Sequence, residues 1–422
     1  MVARSLLALL TLVACTSVPR SDSAAAHIDY WEALAALDSD AALVSARTPA
    51  ERAFAESLKS LMVGDLEKAE TGFSVLRLLG SDSVIRSAAR VMYVAALQYQ
   101  EKWTALAAMA RDSSRVDPDR RDKASIEMWS LAFQALPAMT SEFRARSENV
   151  PMTVSAVGTP LIRVQIGNRL FNFWLDTGSS MTMLSSDVAH SLGVHPLVPD
   201  TLEIVTSTGR IAAQPALIPA LRLGQLVVRN VPAMVVDVAM MRMREPMPTG
   251  RGAHLKIDGI IGFDIIRRLD IEVDYSGLIL RLRDPARSRR IGDRNMFWVG
   301  MPVVKFASTG GIPLHFALDT GAQLSFVTET LLEKLQIEPQ RTENQRVGGL
   351  GGEISMRAPV LADLRVRLRG YPIIFRGTVV RAPVYQVLAS LDGVLGGDIW
   401  GAGTVRMDIT NGVFAVGPAS HD

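Results

Sequence analysis

Cysteine and histidine are scarce in this chain, and each scarcity excludes a class of site. A single cysteine among 422 residues cannot form an intrachain disulfide. Six scattered histidines give no cluster with metal-ligand spacing, so no metal is predicted. The net charge is only +2, and nucleic acid is therefore not an expected partner. Neither a Gly-x-Ser-x-Gly motif nor a Walker phosphate loop occurs, and no cofactor is predicted.

The single cysteine, Cys15, follows a short apolar segment at the start of the chain. Ser5–Val13 comes after a positive charge and is too short to span a bilayer. Leu12–Cys15 resembles a bacterial lipobox. This resemblance implies a lipoprotein signal peptide at residues 1–14, lipidation of Cys15 and a tether at residues 15–27. It also implies a protein anchored to a membrane of the bacterial cell envelope, facing the periplasm or the exterior; an ordinary signal peptide or a buried cysteine is the alternative.

Residues 28–147 carry apolar side chains at helical spacing, for example at Phe54, Leu58 and Leu61, which predicts an α-helical domain. One short stretch resembles the second half of a tetratricopeptide unit, and its residues are Gly64, Leu66, Ala69 and Phe73. Two alternatives remain open. The region is either a repeat array that binds a protein partner or a helical domain that packs against the rest of the chain.

Two copies of Asp-Thr-Gly, Asp176–Gly178 and Asp319–Gly321, lie 143 positions apart in matching surroundings. Each closes a short apolar run that predicts a buried strand, so each aspartate lies where a strand leaves the core. Further along, Asp258–Gly262 and Asp392–Gly396 repeat the pattern Asp-Gly, two apolar residues, Gly. The chain therefore contains an internal duplication. The extra residues of the first copy lie in the Met- and Arg-rich insertion Ala239–Lys256.

These paired motifs resemble the aspartic protease superfamily, which includes pepsin-like enzymes and retropepsins. The resemblance covers residues 150–417 and implies a mainly β fold. It predicts two acid-protease β-barrel lobes, at residues 150–284 and 295–417, after the helical domain. Each half has the size of a retropepsin subunit, yet both lie in one chain. The closest description is a bacterial, single-chain, duplicated retropepsin-like protease, and a monomer is expected.

The resemblance assigns catalysis to Asp176 and Asp319. Two carboxylates about 3 Å apart cannot both ionise, so the pair shares a proton and activates a water molecule. The implied reaction is hydrolysis of a peptide bond in a protein or peptide substrate, without a covalent intermediate. A non-catalytic, protein- or peptide-binding lipoprotein with a protease-like scaffold is the rival hypothesis. Two Asp-Thr-Gly loops argue against this rival, because a scaffold needs neither.

Neighbours of the two aspartates are expected to support them, and these neighbours are Thr177, Gly178, Ser179, Thr320, Gly321 and Ala322. The threonines would hydrogen bond across the lobe boundary, as in the family. Glycine at the third position permits a positive φ and the close approach of another backbone. The hydroxyl of Ser179 is expected to hydrogen bond to its aspartate, whereas Ala322 has no such donor.

Glycine-containing turns at Thr206–Arg210 and Val347–Gly352 fall at equivalent places in the two copies. In the family this place is the flap, a hairpin that closes over substrate. The candidate substrate contacts are Thr208, Gly209, Gly349, Leu350 and Gly351. A phosphate-binding loop is the competing interpretation, but it requires a helix directly afterwards. The tyrosine of the pepsin flap is missing from both turns, so the retropepsin comparison is closer.

Two further features have alternative interpretations. The insertion Ala239–Lys256 either borders the cleft and influences side-chain preference or is a surface excursion. Asp258 and Asp392 are interpreted as turn-forming residues. Asp264 and Asp398 resemble a position that supports folding in retropepsins.

Overall fold

The computed structural model describes residues 29–80, 82–116, 122–155, 159–245, 253–288, 293–322, 324–382, 384–386, 389–399 and 403–417. Cys15, the signal peptide predicted at residues 1–14 and the tether predicted at residues 15–27 lie outside these ranges. Within the ranges, no helix combines the length and the apolar character needed to cross a membrane.

The N-terminal part of the described chain is helical, as the apolar spacing predicts. Its helices are α1 (Tyr30–Ala35), α2 (Ser39–Ser45), α3 (Pro49–Met62), α4 (Leu66–Leu79), α5 (Ser83–Tyr99), α6 (Trp103–Val116) and α7 (Ile126–Phe133). Thr48 forms a capping box at the start of α3, and the Asp82 carboxylate accepts two backbone N–H groups at the start of α5. The predicted apolar stripe of Phe54, Leu58 and Leu61 is the buried face of α3.

Helices α3 and α4 pack closely because small residues lie between them. A Cβ atom on Gly72 would lie only 2.0 Å from Oγ of Ser57. Beside this contact, the rings of Phe54 and Phe73 meet edge-on with centroids 5.5 Å apart. Ala69 is completely buried on the same side of α4. The likeness of this pair to a tetratricopeptide unit stays a prediction.

The first lobe is built around a barrel-forming sheet. Its strands are β1 (Thr140–Glu142), β2 (Ser147–Val154), β3 (Pro160–Ile166), β4 (Arg169–Leu175), β5 (Thr182–Ser185), β6 (Leu202–Thr206), β7 (Gly209–Leu223), β8 (Leu226–Val236), β9 (Arg242–Glu245), β10 (Ala253–Lys256), β11 (Gly259–Ile261), β12 (Asp270–Asp274) and β13 (Ile279–Arg283), with helices α8 (Ser186–Leu192) and α9 (Phe263–Ile266). Pairing of β3 with β7, at Gln165 and Arg222, closes the barrel. Strand β1 pairs with β8, so strand structure begins inside the range 28–147 that was predicted to be helical.

The second lobe repeats this plan. Its strands are β14 (Met296–Trp298), β15 (Pro302–Ser308), β16 (Pro313–Leu318), β17 (Phe326–Thr328), β18 (Arg341–Gly349), β19 (Gly352–Val360), β20 (Asp363–Leu368), β21 (Tyr371–Arg376), β22 (Val379–Arg381), β23 (Val384–Gln386), β24 (Ala389–Leu391), β25 (Gly393–Leu395), β26 (Thr404–Asp408) and β27 (Val413–Gly417), with helix α10 (Glu329–Leu335). Strand β15 pairs with both β16 and β20. The predicted fold class, a mainly β two-lobed protein after a helical region, is confirmed.

The two lobes share one sheet across their boundary. Strand β12 of the first lobe pairs antiparallel with β26 of the second, which places Asp270 opposite Asp408. The completely buried Asp270 accepts hydrogen bonds from Nε and Nη2 of Arg406, each at 2.9 Å. Loss of one partner of a buried ion pair typically costs about 3–5 kcal/mol. Because Asp270 belongs to the first lobe and Arg406 to the second, this ion pair stabilises the observed register of β12 against β26.

The helical region packs against both lobes. At the end of α5, the Tyr99 hydroxyl donates to the carbonyl oxygen of Gly300 at 2.5 Å, and its ring meets that of Trp298 edge-on with centroids 3.8 Å apart. Next to it, Glu101 forms ion pairs with Arg267 and Arg268 of the first lobe. Of the two alternatives, a helical domain packed on the rest of the chain is therefore present. A protein partner for this domain stays a prediction.

Candidate active site

Asp176 and Asp319 each follow the end of a central strand in their lobe. Strand β4 ends at Leu175 and runs parallel to β11. The N–H of Asp176 donates to the carbonyl oxygen of Ile261 at 3.0 Å, and the N–H of Asp319 donates to that of Leu395 at 3.0 Å. The duplicated apolar-apolar-Gly motif is therefore the strand that positions each aspartate at the lobe boundary.

Thr177 and Thr320 cross-link the two loops, and the predicted bonds across the boundary are present. Oγ1 of Thr177 donates to the carbonyl oxygen of Leu318 at 2.6 Å and accepts from the N–H of Thr320 at 3.0 Å. In return, Oγ1 of Thr320 donates to the carbonyl oxygen of Leu175 at 2.7 Å and accepts from the N–H of Thr177 at 3.0 Å. Both side chains are buried, so water does not compete for these bonds.

Gly178 and Gly321 each lie against the carboxyl group of the opposite loop. A Cβ atom on Gly178 would lie 2.5 Å from Oδ1 of Asp319, and one on Gly321 would lie 2.4 Å from Cγ of Asp176. The predicted close approach is thus confirmed. Neither glycine has the positive φ that this residue type permits. Glycine is required here because a side chain has no room, not because of an unusual backbone conformation.

Backbone N–H groups of its own loop hold each carboxylate in place. Oδ1 of Asp176 accepts from the N–H of Gly178 at 2.8 Å and from that of Ser179 at 3.2 Å. The second loop repeats this arrangement, with both bonds to Oδ1 of Asp319 at 3.0 Å. The two carboxyl groups also lie close enough for each to influence the pKa of the other. They therefore form a single proton-sharing unit.

The hydroxyl of Ser179 does not serve this pair. It donates to the carbonyl oxygen of Met181 at 2.8 Å, and only the backbone N–H of Ser179 reaches Asp176. Because a hydroxyl has one proton to donate, the expected bond from this hydroxyl to Asp176 is wrong. Ala322 likewise contributes only its N–H. The two loops thus offer the carboxyl groups equivalent donors, despite the difference between serine and alanine.

Burial is the largest cause of an upward pKa shift in both carboxyl groups. It raises the pKa of Asp176 to about 8, and the charge of Asp319 adds to the increase. Burial also raises the pKa of Asp319. The N–H donors of the loops act in the opposite direction without cancelling the rise. Since interacting carboxyl groups titrate as a pair, the dyad retains a proton at neutral pH.

A cavity of about 650 Å³ lies above the dyad and below the two turns interpreted as flaps. This volume suits a segment of peptide with several side chains. Much of the lining is apolar, including Trp174, Met183, Ile260, Met301, Phe326 and Val394. Among the described residues, the charged ones that line it besides the two aspartates are Arg346 and Arg381.

The two hairpin turns meet above this cavity. Oγ1 of Thr208, in the β6–β7 turn, donates to the carbonyl oxygen of Leu350 in the β18–β19 turn at 2.6 Å. At the same contact, a Cβ atom on Gly349 would lie 2.2 Å from a serine hydroxyl of the first turn. Gly209 and Gly351 have φ values of 148° and 91°, which glycine adopts without strain. The five predicted flap residues therefore lie together at the tips, and closure over substrate stays a prediction.

The insertion begins beside the second flap. The carbonyl oxygen of Met240 accepts from the N–H of Gly351 at 3.4 Å, and Met241 is completely buried. Strands β9 and β10 then form a separate hairpin. Residues 246–252 lie outside the described ranges. An influence of the insertion on side-chain preference stays a prediction.

Asp258 and Asp392 each lie directly before a strand and bond to a neighbouring strand, and their interpretation as turn-forming residues stays a prediction. Oδ2 of Asp258 accepts from the N–H of Asn172 in β4 at 2.9 Å, and Oδ2 of Asp392 accepts from the N–H of His315 in β16 at 2.7 Å. Asp392 also pairs with Lys334 at 3.1 Å. Each carboxylate thus fastens the strand that leads into the Asp-Thr-Gly loop of its lobe.

Asp264 and Asp398 support the chain that follows each catalytic loop. Oδ1 of Asp264 accepts from Oγ1 of Thr182 at 2.9 Å. Oδ1 of Asp398 accepts from both the N–H and the hydroxyl of Ser325, each at 2.7 Å. Burial raises the pKa of Asp264 to about 6. Among the described residues, His, Cys, Asp and Glu form no group of three or more that could hold a metal ion.

The sequence interpretation missed Arg381, which lines the cavity from β22. Its guanidinium lies over the ring of Phe326, with Cζ 4.4 Å from the centroid. A signal was available, because Arg381 ends the apolar run Val379-Val380 and a charge in a buried strand is uncommon without a partner.

It also missed the contact between the helical region and the first flap. The N–H of Glu203, in β6, donates to the carbonyl oxygen of Lys123 at 3.1 Å, and Nε1 of Trp129 donates to the carbonyl oxygen of Glu203 at 3.3 Å. Arg210, in β7, pairs with Asp122 at 3.0 Å. No sequence pattern links positions so far apart.

Comparison with known protein families matches residues 162–265 and 305–399 to the aspartyl protease family. The segments fall one in each lobe and together make up just under half of the chain. A search of curated proteins found no match. The family match supports an aspartic-type peptidase activity and a protein substrate.

Proposed function

We propose that this chain, with its two aspartyl protease-like lobes, is an aspartic endopeptidase whose Asp176 and Asp319 activate a water molecule. The observation that carries the proposal is the symmetry of the pair. Two carboxyl groups line the same peptide-sized cavity, and each is fixed by two N–H groups of its own loop. Their raised pKa values support a pair that holds one proton at neutral pH.

One proton on two carboxyl groups supplies both a base and an acid. The ionised group takes a proton from the bound water, whose oxygen attacks the carbonyl carbon of the scissile peptide bond. The protonated group donates to the carbonyl oxygen, and a proton reaches the leaving nitrogen as the bond breaks. Because the donors around Asp176 and Asp319 are equivalent, neither residue has a fixed role.

Casein, an unfolded protein, is a suitable substrate for the test. We expect the parent to cleave it, and Asp176→Asn and Asp319→Asn each to lower the rate at least about 10³-fold, because each removes half of the acid–base pair. Asp363→Asn is the matched control, since Asp363 forms an exposed pair with Arg376 outside the cavity. Cleavage retained in either dyad variant would contradict the proposal. Casein binding without cleavage by the parent would favour the rival, a non-catalytic binding lipoprotein.

The proposal includes a location. The lipobox-like end of the apolar segment at Cys15 supports lipidation and attachment to a membrane of the bacterial envelope. We expect Cys15→Ser to lose incorporation of a palmitate analogue and to move from the membrane to the soluble periplasmic fraction. Incorporation of the palmitate analogue by Cys15→Ser would contradict the lipid anchor. The proposed peptidase activity does not depend on this result.

A further inference from the structure

Arg381 carries a charge in the cavity that no described carboxylate neutralises. It lines the second-lobe wall, and its guanidinium stacks on the ring of Phe326 at 4.4 Å. Its Nε is buried and lacks a hydrogen-bond partner. Within the part of the chain that the structure describes, no carboxylate forms an ion pair with Arg381, and burial lowers its pKa. Stacking occupies only the face of the guanidinium, so its N–H donors at the edge stay available.

The fold does not require a charge at this position. Strand β17 pairs with β22 in the second lobe as β5 pairs with β8 in the first, and both pairs are parallel. Arg381 lies opposite Thr328, and its counterpart opposite Ser185 is the completely buried Val236. The first lobe therefore has an apolar side chain at the equivalent strand position. A cation that is desolvated without compensation lowers stability, which indicates that its partner comes from outside the chain.

We propose that Arg381 binds a carboxylate of the peptide substrate, and that this residue gives the second-lobe side of the cleft a preference for an acidic group. The inference rests on the proposed peptidase function. Arginine pairs with carboxylates through two parallel N–H···O bonds, which neither lysine nor an apolar wall provides. The described lining offers no acid except the dyad, so a carboxylate in this subsite meets no other negative side chain.

A carboxylate can come from an Asp or Glu side chain within a protein or from the C-terminus of a peptide. Quenched fluorescent peptides separate the two sources. One set places Glu, Gln or Leu at each position on both sides of the cleaved bond, and a second set compares a free with an amidated C-terminus. We expect Glu to exceed Gln by about ten- to a hundredfold in kcat/KM at one internal position, the usual range for a hydrogen-bonded charge. An effect confined to the free C-terminus would assign the subsite to terminal carboxylates instead.

Substitutions of Arg381 test its role directly. Arg381→Met should abolish the preference for Glu, and Arg381→Glu should prefer Lys at the same position, which a merely structural role would not produce. Arg365→Met removes the same charge from an exposed position of β20 in the same lobe and should keep the preference. A preference unchanged in Arg381→Met would overturn the inference. Equal losses in both Met variants would also overturn it, in favour of a general effect of net charge.

A binding assay separates this inference from the peptidase proposal. In Asp176→Asn, fluorescence anisotropy should show tighter binding of the Glu peptide than of the Gln peptide, and Arg381→Met in that background should remove the difference. If casein is cleaved but Glu and Gln peptides bind and react alike, the inference fails while the peptidase proposal stands. If nothing is cleaved but the Glu peptide still binds better through Arg381, the peptidase proposal fails alone.

Discussion

The two flaps have the same place in their lobes but very different surroundings. In the first, Leu202 and Ile204 of β6 are buried in a core shared with the helical region. In the second, Ile354 and Met356 of β19 are 41% and 37% exposed. Segments with few buried apolar contacts open at the lowest free-energy cost. The second flap is therefore the one we expect to move for substrate entry, whereas the helices hold the first.

The lobes are alike at the two Asp-Thr-Gly loops and differ in the strands beside them. The threonine cross-links, the N–H donors and the close-packed glycines match bond for bond. Beside them, the first lobe has Met183 and Val236 where the second has Phe326 and Arg381. Chemistry that needs two equivalent carboxyl groups preserves symmetry in the loops. A peptide has two different ends, so its recognition does not require the strands beside the loops to be symmetrical.

The largest effect on stability and activity should come from removing the threonine hydroxyls that cross-link the two Asp-Thr-Gly loops. Thr177→Val removes a hydroxyl that bonds to both the carbonyl of Leu318 and the N–H of Thr320. Each buried group left without a partner costs about 1–3 kcal/mol. We expect a large loss of stability and activity, and an equal loss in Thr320→Val. Chemical denaturation and casein cleavage measure the two quantities.

Serine substitutions are the control for these threonine variants. Thr177→Ser and Thr320→Ser keep the hydroxyl and should retain most of the activity. The double valine variant should lose less stability than the sum of the single variants, because both threonines belong to one network. Unequal single losses would show that the two loops are not equivalent.

The duplication made most of the fold and the dyad predictable from the sequence. Each Asp-Thr-Gly and each apolar-apolar-Gly motif consists of consecutive residues, so it can be recognised in the sequence. The second copy of each motif supports the assignment of the first. The role of the Ser179 hydroxyl could not be predicted, because it depends on which atoms lie nearby in space. A serine after Asp-Thr-Gly gives no indication that its hydroxyl points to Met181. The contact of Trp129 with β6 likewise joins residues that no repeat relates.

A second prediction uses pH to compare the carboxyl groups. Burial raises the pKa of Asp176 from 3.8 to about 8, so the folded state favours the protonated group more than the unfolded state does. This stabilisation is complete below about pH 4 and is lost as pH rises through about 8. Asp176→Asn has no such ionisation, so its melting temperature relative to the parent should rise between pH 4 and pH 8.

The same thermal scans on Asp319→Asn complete the comparison. A curve that matches that of Asp176→Asn indicates that the two groups share the titration. Asp363→Asn should follow the parent at every pH. No pH-dependent difference between parent and dyad variants would contradict the raised pKa.

A smaller effect, on hydrogen exchange, is expected where the helical region contacts the β6–β7 hairpin. Trp129→Phe keeps an aromatic ring in the core but removes the N–H that donates to Glu203. The loss of one such bond corresponds to about 1 kcal/mol, or roughly fivefold faster hydrogen exchange in β6 and β7. The amides of β18 and β19 should be unchanged, as an internal control. Faster exchange in both flaps would indicate general destabilisation and not release of one hairpin.

The smallest effect on stability and activity concerns Ser179, whose counterpart in the second Asp-Thr-Gly loop is Ala322. Its hydroxyl donates to Met181, and its N–H, which alone bonds to Asp176, is retained in Ser179→Ala. We therefore expect a modest loss of stability, of about 1 kcal/mol for one hydrogen bond. The alkaline limb of the pH profile of kcat/KM should stay in place, because the donors around the pair do not change.

Ala322→Gly, which also retains the N–H at the equivalent position, is the matched control in the second loop. An alkaline limb that moves upward in Ser179→Ala alone would show that the hydroxyl turns toward Asp176 in the working enzyme, and the equivalence of the two loops would then be lost.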